Sequence, residues 1–205
     1  MKQQLKGLYI VTPDWDDTTQ LVQVTEQALQ GGVALVQYRH KTADVEQRRQ
    51  QAGALLALCR QYGVPLIIND HLDVCLALEA DGLHVGGTDM EVAQARAALG
   101  PDKILGASCY GDIARAQRAQ QAGASYIAFG GFYPSRIKRY EVTTQPGIVA
   151  AAAPLQLPRV VIGGMTLNNC LPLLAQGSEM VAVISSVYFA QDPQSAARAF
   201  ADLFV

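Results

Sequence analysis

The chain reads as an α/β protein, a single (β/α)8 TIM barrel over residues 1–205, and three observations predict it. Eight short apolar runs recur along the sequence. Stretches with helical periodicity follow most of them. Several of those stretches stop at glycine and lead straight into the next run: Gly31-Gly32-Val-Ala-Leu-Val, Gly63-Val-Pro-Leu-Ile, Gly123-Ala-Ser-Tyr-Ile, Gly177-Ser-Glu-Met-Val. A βα alternation with glycine-ended helices is the pattern of a parallel sheet. Eight units favour a closed barrel over an open doubly wound sheet. The open sheet stays the alternative, but no GxGxxG follows the first run.

The eight runs are Leu8–Val11, Leu35–Tyr38, Leu66–Ile68, Gly82–Val85, Ile104–Ala107, Tyr126–Phe129, Val160–Ile162 and Val181–Ile184. Each is apolar on both parities, as a strand buried on both faces should be. Thr18–Gln30 places Leu21, Val22, Thr25, Ala28 and Leu29 on one helical face, and Gly31 stops it. Asp44–Tyr62 repeats apolar residues at Ala52, Leu55, Leu56 and Cys59 and ends at Gly63. A short helical run covers His71–Leu78, and Glu91–Leu99 ends at Gly100. Asp112–Ala122 carries a thin alanine face and ends at Gly123. Thr166–Gln176 opens on a Thr suited to an N-cap, and Asp192–Phe204 opens on Asp-Pro, a cap followed by Pro at the first helical position.

Composition narrows the function classes. Hydrophobic residues make up 50% and charged ones 17%, which excludes a disordered or fibrous chain. A net charge of −2 gives no reason to expect nucleic acid or an anionic membrane as partner. Cys59, Cys75, Cys109 and Cys170 lie far apart with no CxxC pair, which suggests packed, reduced thiols in a cytoplasmic protein. The first apolar run is too short for a signal peptide or a membrane span.

In such barrels chemistry sits where strands end. Strand 2 runs out into Gln37, Arg39, His40 and Lys41, and its alternation puts Gln37, Arg39 and Lys41 on one face. Strand 3 runs out into Asn69 and Asp70, strand 4 into His84, Gly86, Gly87 and Asp89, strand 5 into Ser108, Cys109 and Tyr110. Asp70 and Asp89 offer hard oxygen ligands from separate loops, a pattern suited to Mg2+ that also takes phosphate oxygens. Each aspartate could equally cap the helix that follows it. Gly163-Gly164 after strand 7 and Ser185-Ser186 after strand 8 suit a backbone phosphate cradle, although tight turns and a helix cap would use the same residues. His84 reads as a hydrogen-bonded core histidine and Cys109 as packing.

The stretch Tyr126–Gly147 stands apart. After its apolar run come Gly130-Gly131, Pro134, Ser135, Arg136 and Lys138, with no amphipathic helix until about Gly147. A loop of this length is usually functional, and its residue types suit an anion.

Together these motifs resemble the thiamine phosphate synthase family. Gln37-Tyr-Arg-His-Lys41, Ile68-Asn-Asp70, His84-Val-Gly-Gly-Thr-Asp89, Gly106-Ala-Ser108, Tyr133-Pro-Ser-Arg-Ile-Lys138, Ile162-Gly-Gly164 and Ile184-Ser185 fall in the family's order and spacing across almost the whole chain. The resemblance implies an Mg2+-dependent transferase that joins hydroxymethylpyrimidine diphosphate to hydroxyethylthiazole phosphate, giving thiamine phosphate and pyrophosphate. It implies dissociative chemistry, in which pyrophosphate leaves first and the thiazole nitrogen attacks a pyrimidine-stabilised cation. The diphosphate substrate would meet Gln37, Tyr38, Arg39, His40, Lys41, Asn69, Ser108 and Lys138, with Arg39, Lys41, Ser108 and Lys138 supporting departure of the leaving group. Asp70 and Asp89 would hold the metal. Ser135, Arg136, Ile137, Gly164, Ile184 and Ser185 would meet the thiazole phosphate. The partners implied are these two small phosphorylated substrates and a second copy in a homodimer.

Three departures stand out. His40 replaces a usual Glu, and Gly87 replaces a usual Gln. Ser135-Arg136-Ile137-Lys138 replaces Thr-x-Thr-Lys, which loses one hydroxyl. Two rivals remain. A thiazole tautomerase-like enzyme would carry His where this chain has Tyr110. A non-catalytic phosphate-binding barrel would find support only in Ile137 and Gly87.

Overall fold

The structure is a computed structural model that describes residues 5–86, 90–134 and 144–205. Eight parallel strands close into a barrel in chain order. They are β1 (Gly7–Val11), β2 (Leu35–Tyr38), β3 (Leu66–Asn69), β4 (Gly82–Val85), β5 (Ile104–Ser108), β6 (Tyr126–Gly130), β7 (Arg159–Ile162) and β8 (Met180–Val183). Closure comes from β1 pairing with β8, Tyr9 opposite Ala182.

The helices are α1 (Thr18–Gln30), α2 (Val45–Tyr62), α3 (Leu72–Ala77), α4 (Val92–Leu99), α5 (Ile113–Gln121), α6 (Ile148–Ala151), α7 (Leu171–Ala175), α8 (Ser185–Tyr188) and α9 (Pro193–Ala201). Four of them start on an aspartate that accepts N–H groups of the first turn: Asp17, Asp44, Asp112 and Asp192. Gly63 ends α2 in the left-handed region at φ 66°, which is why a glycine stands there.

Two of the boundary differences from the sequence expectation have a clear local cause. Thr166 does not start a helix. It trades hydrogen bonds with Asn169, whose Oδ1 accepts the Thr166 N–H at 2.7 Å, and this closes a turn of its own. The helix waits until Leu171, with Pro172 in its first turn. The eighth run ends at Val183 rather than Ile184, because Ile184 (φ −119°, ψ −80°) already turns the chain into α8.

Alternation along each strand divides the apolar residues between two cores. Leu8, Ile10, Val36, Ile68, Leu83 and their neighbours pack outward against the helices. Tyr9, Leu35, Ile67, Tyr126, Val160 and Met180 fill the lumen. At the strands' N-terminal end, cations are committed to structure. Arg159 Nη2 meets Glu179 Oε1 at 2.7 Å, and Arg96 donates to the carbonyls of Gly100, Lys103 and Gly123. No helix among the described residues is long and apolar enough to cross a membrane.

Candidate active site

The C-terminal ends of the strands open on a pocket. Its wall includes Tyr9, Gln37, Asn69, His84, Ser108 and Tyr110. Inward-facing parity brings them together: Asn69 pairs with His84, His84 with Gly106, and Gly106 with Tyr126. A hydrogen-bonded chain crosses the lumen under the pocket. Gln37 Nε2 donates to Tyr9 Oη. Tyr9 Oη lies 2.7 Å from Tyr126 Oη, Tyr126 Oη 2.9 Å from His84 Nδ1, and His84 Nε2 2.8 Å from Ser108 Oγ. Burial pushes both phenols above the ordinary tyrosine range, so both stay protonated at neutral pH.

Among the described residues, charge is concentrated on the rim of β1, β2 and β3. The Arg39 side chain is buried, and its Nη1 meets Asp14 Oδ1 at 3.2 Å. Asp14 also accepts the Lys41 N–H at 2.8 Å. Trp15 packs edge-on against Tyr188 and Phe189, which docks the Asp14 loop on α8. Lys41 Nζ reaches Asp70 Oδ2 at 3.4 Å. Asp70 sits at φ 60°, an uncommon conformation for a non-glycine residue and one found at functional sites. Its carboxylate accepts from Asn69 Nδ2 at 2.6 Å and from the Gly86 N–H at 2.9 Å. It makes no cap of α3, whose N-cap residue is His71.

The rim of β6, β7 and β8 is tightly built. Thr144 Oγ1 donates to the Gly130 carbonyl at 2.5 Å, and the Thr144 N–H donates to the Gly131 carbonyl at 2.9 Å. The far end of the loop after β6 is therefore pinned to the strand end. Tyr133 Oη donates to the Asn169 carbonyl at 2.8 Å, tying that loop to the one after β7. Gly164 has φ 63°, and a Cβ there would overlap the Pro134 carbonyl, so only glycine fits. Ser185 opens α8 directly after Ile184 at the β8 end.

The structure brings Gln37, Asn69 and Ser108 to the pocket wall, and Arg39, Lys41 and Asp70 to its rim. Gly164, Ile184 and Ser185 lie on the β7 and β8 ends. Asp89, Ser135, Arg136, Ile137 and Lys138 lie outside the described residues. Tyr38 and His40 are not brought to the pocket. Tyr38 faces the helix layer, where its Oη donates to Gln51 Oε1 at 2.9 Å. The His40 Nδ1 accepts the Ala43 N–H at 3.0 Å, and its Nε2 faces Asp16 at 3.3 Å. Opposite parity to Gln37 and Arg39 is the reason. Sequence reasoning missed Tyr9, Tyr126 and Asp14. The inward parity of Tyr9 and Tyr126 was available as a signal, whereas Asp14 carried none.

No group of three or more metal-ligating side chains occurs among the described residues. Asp70 nevertheless fits a magnesium ion on donor chemistry. It is a hard carboxylate fixed at one oxygen by a backbone N–H, beside cations that suit phosphate, and Mg2+ commonly takes one or two protein carboxylates plus phosphate oxygens.

Comparison with known proteins places this barrel among its relatives. A family model described as Thiamine monophosphate synthase matches residues 8–187. A Thiamine-phosphate synthase of Janthinobacterium sp. (strain Marseille) is 64% identical over 205 residues, covering 100% of this chain and 99% of that protein. One from Methylobacillus flagellatus is 47% identical over 98% of this chain and 96% of its own length. Among solved structures, a thiamine phosphate pyrophosphorylase from Pyrococcus furiosus superposes with a TM-score of 0.85 at 28% identity, covering 98% of this chain and 96% of that one.

Proposed function

Because the chain belongs to the thiamine monophosphate synthase family, we propose that the pocket at its barrel mouth holds hydroxymethylpyrimidine diphosphate beside a thiazole phosphate. The enzyme is a transferase of thiamine biosynthesis, a thiamine phosphate synthase by activity, acting on two small phosphorylated substrates. One observation supports this pocket above others: Arg39, Lys41, Asn69 and Asp70 form a cation–carboxylate rim directly beside a wall containing Gln37 and Ser108.

Loss of a diphosphate needs charge neutralisation and positioning more than proton transfer, so no general base is required. Arg39 and Lys41 are held by Asp14 and Asp70 at the rim, and each can turn its charge toward the departing diphosphate. Ser108 offers a hydroxyl to a diphosphate oxygen. Lys138 adds a further cation from the β6 loop. Asp70, with Asp89, would hold Mg2+, which when bound neutralises charge on the diphosphate. Gln37 orients the pyrimidine so that the thiazole nitrogen meets its methylene carbon once pyrophosphate has left. Gly164, Ile184 and Ser185, with Ser135, Arg136 and Ile137, hold the thiazole phosphate through backbone N–H groups and side chains. Tyr38 and His40 brace β2 from behind. Four free, buried cysteines support a reducing, cytoplasmic setting. A homodimer completes the reading and is measurable by sedimentation.

The test is an assay with both substrates and Mg2+. Pyrophosphate release that depends on thiazole phosphate supports the reading. Binding without release would point to a non-catalytic barrel, and metal-independent conversion of a thiazole carboxylate phosphate tautomer to a tautomerase.

A further inference from the structure

The hydrogen bonds beneath the pocket join two residues on strands three apart around the barrel. We propose that Tyr9, Tyr126 and His84 form a one-way relay from the Gln37 amide to the Ser108 hydroxyl, which holds Ser108 as a hydrogen-bond donor toward an anionic oxygen of the diphosphate substrate. The inference rests on the reading of Gln37 and Ser108 as substrate contacts.

Each phenol has one proton to give. Gln37 Nε2 donates to Tyr9 Oη, so the Tyr9 proton goes to Tyr126 Oη at 2.7 Å. The Tyr126 proton then goes to His84 Nδ1 at 2.9 Å. The His84 proton therefore sits on Nε2 and donates to Ser108 Oγ at 2.8 Å. With its oxygen already accepting from His84, Ser108 turns its own proton toward the pocket it lines. Tyr9 and Tyr126 are only 1% and 0% exposed, so bulk water has little access to either hydroxyl. A mixed order would leave a buried phenol proton without an acceptor, and that is costly.

In this scheme the protons reverse as a set. Turning the Gln37 amide over would make Tyr9 its donor, send the Tyr126 proton to Tyr9, move the imidazole proton to Nδ1 and leave Ser108 donating to His84. Ser108 would then present lone pairs to an ionised phosphate, which has only acceptors. The amide at β2 thus decides whether the hydroxyl at β5 can greet the diphosphate. Tyr9, Tyr126 and His84 are positioning residues in this scheme. Gly106 leaves the space they occupy, since a Cβ there would overlap the Tyr126 ring.

The experiment uses the whole chain carrying 15N-labelled histidine. The three histidines are resolved by the signal lost in His84→Gln. The expected wild-type pattern is a protonated His84 Nε2 and a bare Nδ1. Gln37→Leu, acting only through the phenols, and Tyr126→Phe, which keeps the ring, should each move that pattern toward a tautomer mixture. Kinetics supply the second arm. In the wild-type background, Gln37→Leu and Ser108→Ala should lower kcat/KM for the pyrimidine diphosphate jointly by about threefold less than the product of their separate effects, and in Tyr126→Phe the two should multiply. Protonation of His84 on Nδ1, a pattern unmoved by Gln37→Leu, or multiplicative effects in both backgrounds would each overturn the relay. Wild-type turnover in both Gln37→Leu and Ser108→Ala would instead overturn the substrate reading, and the nitrogen signals would still decide the relay on their own.

Discussion

Lys41 and Asp70, 29 residues apart in the chain, meet at 3.4 Å on the barrel rim, with Asp70 held in a left-handed conformation at φ 60°. A non-glycine residue in that region carries a strain cost, and the Gly86 N–H and Asn69 amide hold its carboxylate in place. Without a diphosphate, Lys41 and Asp70 satisfy each other. With substrate and metal bound, the carboxylate would serve the metal and the ammonium the leaving group. Asp70→Ala is expected to lower kcat by about 10²-fold or more, the scale for removing one preorganised electrostatic contact. The fold should be retained, because the carboxylate's partners Asn69, Gly86 and Lys41 all lie at the barrel rim rather than in the packed core. Steady-state turnover over a magnesium titration checks this. Wild-type turnover of Asp70→Ala in excess chelator would refute the role.

Ile137 is the residue at which the chain departs most from its family's pattern, where a second hydroxyl is usual. A hydrogen bond to phosphate contributes roughly 1–3 kcal/mol, about five- to hundredfold in affinity. Ile137→Thr is therefore expected to lower KM for the thiazole phosphate and leave KM for the pyrimidine diphosphate unchanged. An unaltered KM for both substrates would mean that Arg136 or backbone groups already supply that contact.

Much of this was legible in the sequence for physical reasons. The strands announced themselves because both faces of a barrel strand are buried, and α1, α2 and α9 because their aspartate caps and apolar faces are local features. Gln37, Asn69, Asp70 and Ser108 could be read because strand ends converge on one mouth. Tyr9 and Tyr126 could not be read as a pair. They are 117 residues apart, and only the barrel register brings their hydroxyls within 2.7 Å. Asp14 escaped because its role depends on Trp15 docking against Tyr188 from the far end of the chain. Thr166 misled because a capping residue can close a turn as well as open a helix.

The cysteines predict a pH dependence. Burial pushes the Cys59 and Cys109 thiols up to about 12 and Cys75 up to about 11. The native thiols therefore stay protonated at pH 8 and should resist iodoacetamide, while the denatured chain reacts at all four. A folded pKa above the unfolded value gives stability that is present below about pH 8.5 and is lost as pH rises toward the folded values. Urea midpoints should fall steadily between about pH 9 and pH 11. Cys109→Ala should flatten part of that fall and leave turnover near wild type, since Cys109 packs outward against the helices. Rapid alkylation of the native protein at pH 8 would contradict the buried placement.

Gly106 gives the sharpest structural test of the pocket floor. It lies in β5 between His84 on β4 and Tyr126 on β6 in register. A Cβ there would stand 2.6 Å from His84 Nδ1 and overlap the Tyr126 ring. The Tyr126 ring has little room to retreat, because it packs in a lumen filled by Tyr9, Ile67 and Val160. Gly106→Ala is expected to destabilise the fold by about 1–3 kcal/mol through overpacking and to lower turnover by separating His84 from Tyr126. Gly147→Ala is the control, since a Cβ there meets nothing within 4 Å and its φ of −56° suits alanine. That variant should stay within about 0.5 kcal/mol of wild type in a urea titration and keep full activity. Equal stability of the two variants would mean that the lumen has more slack than the Tyr126–His84 contact implies.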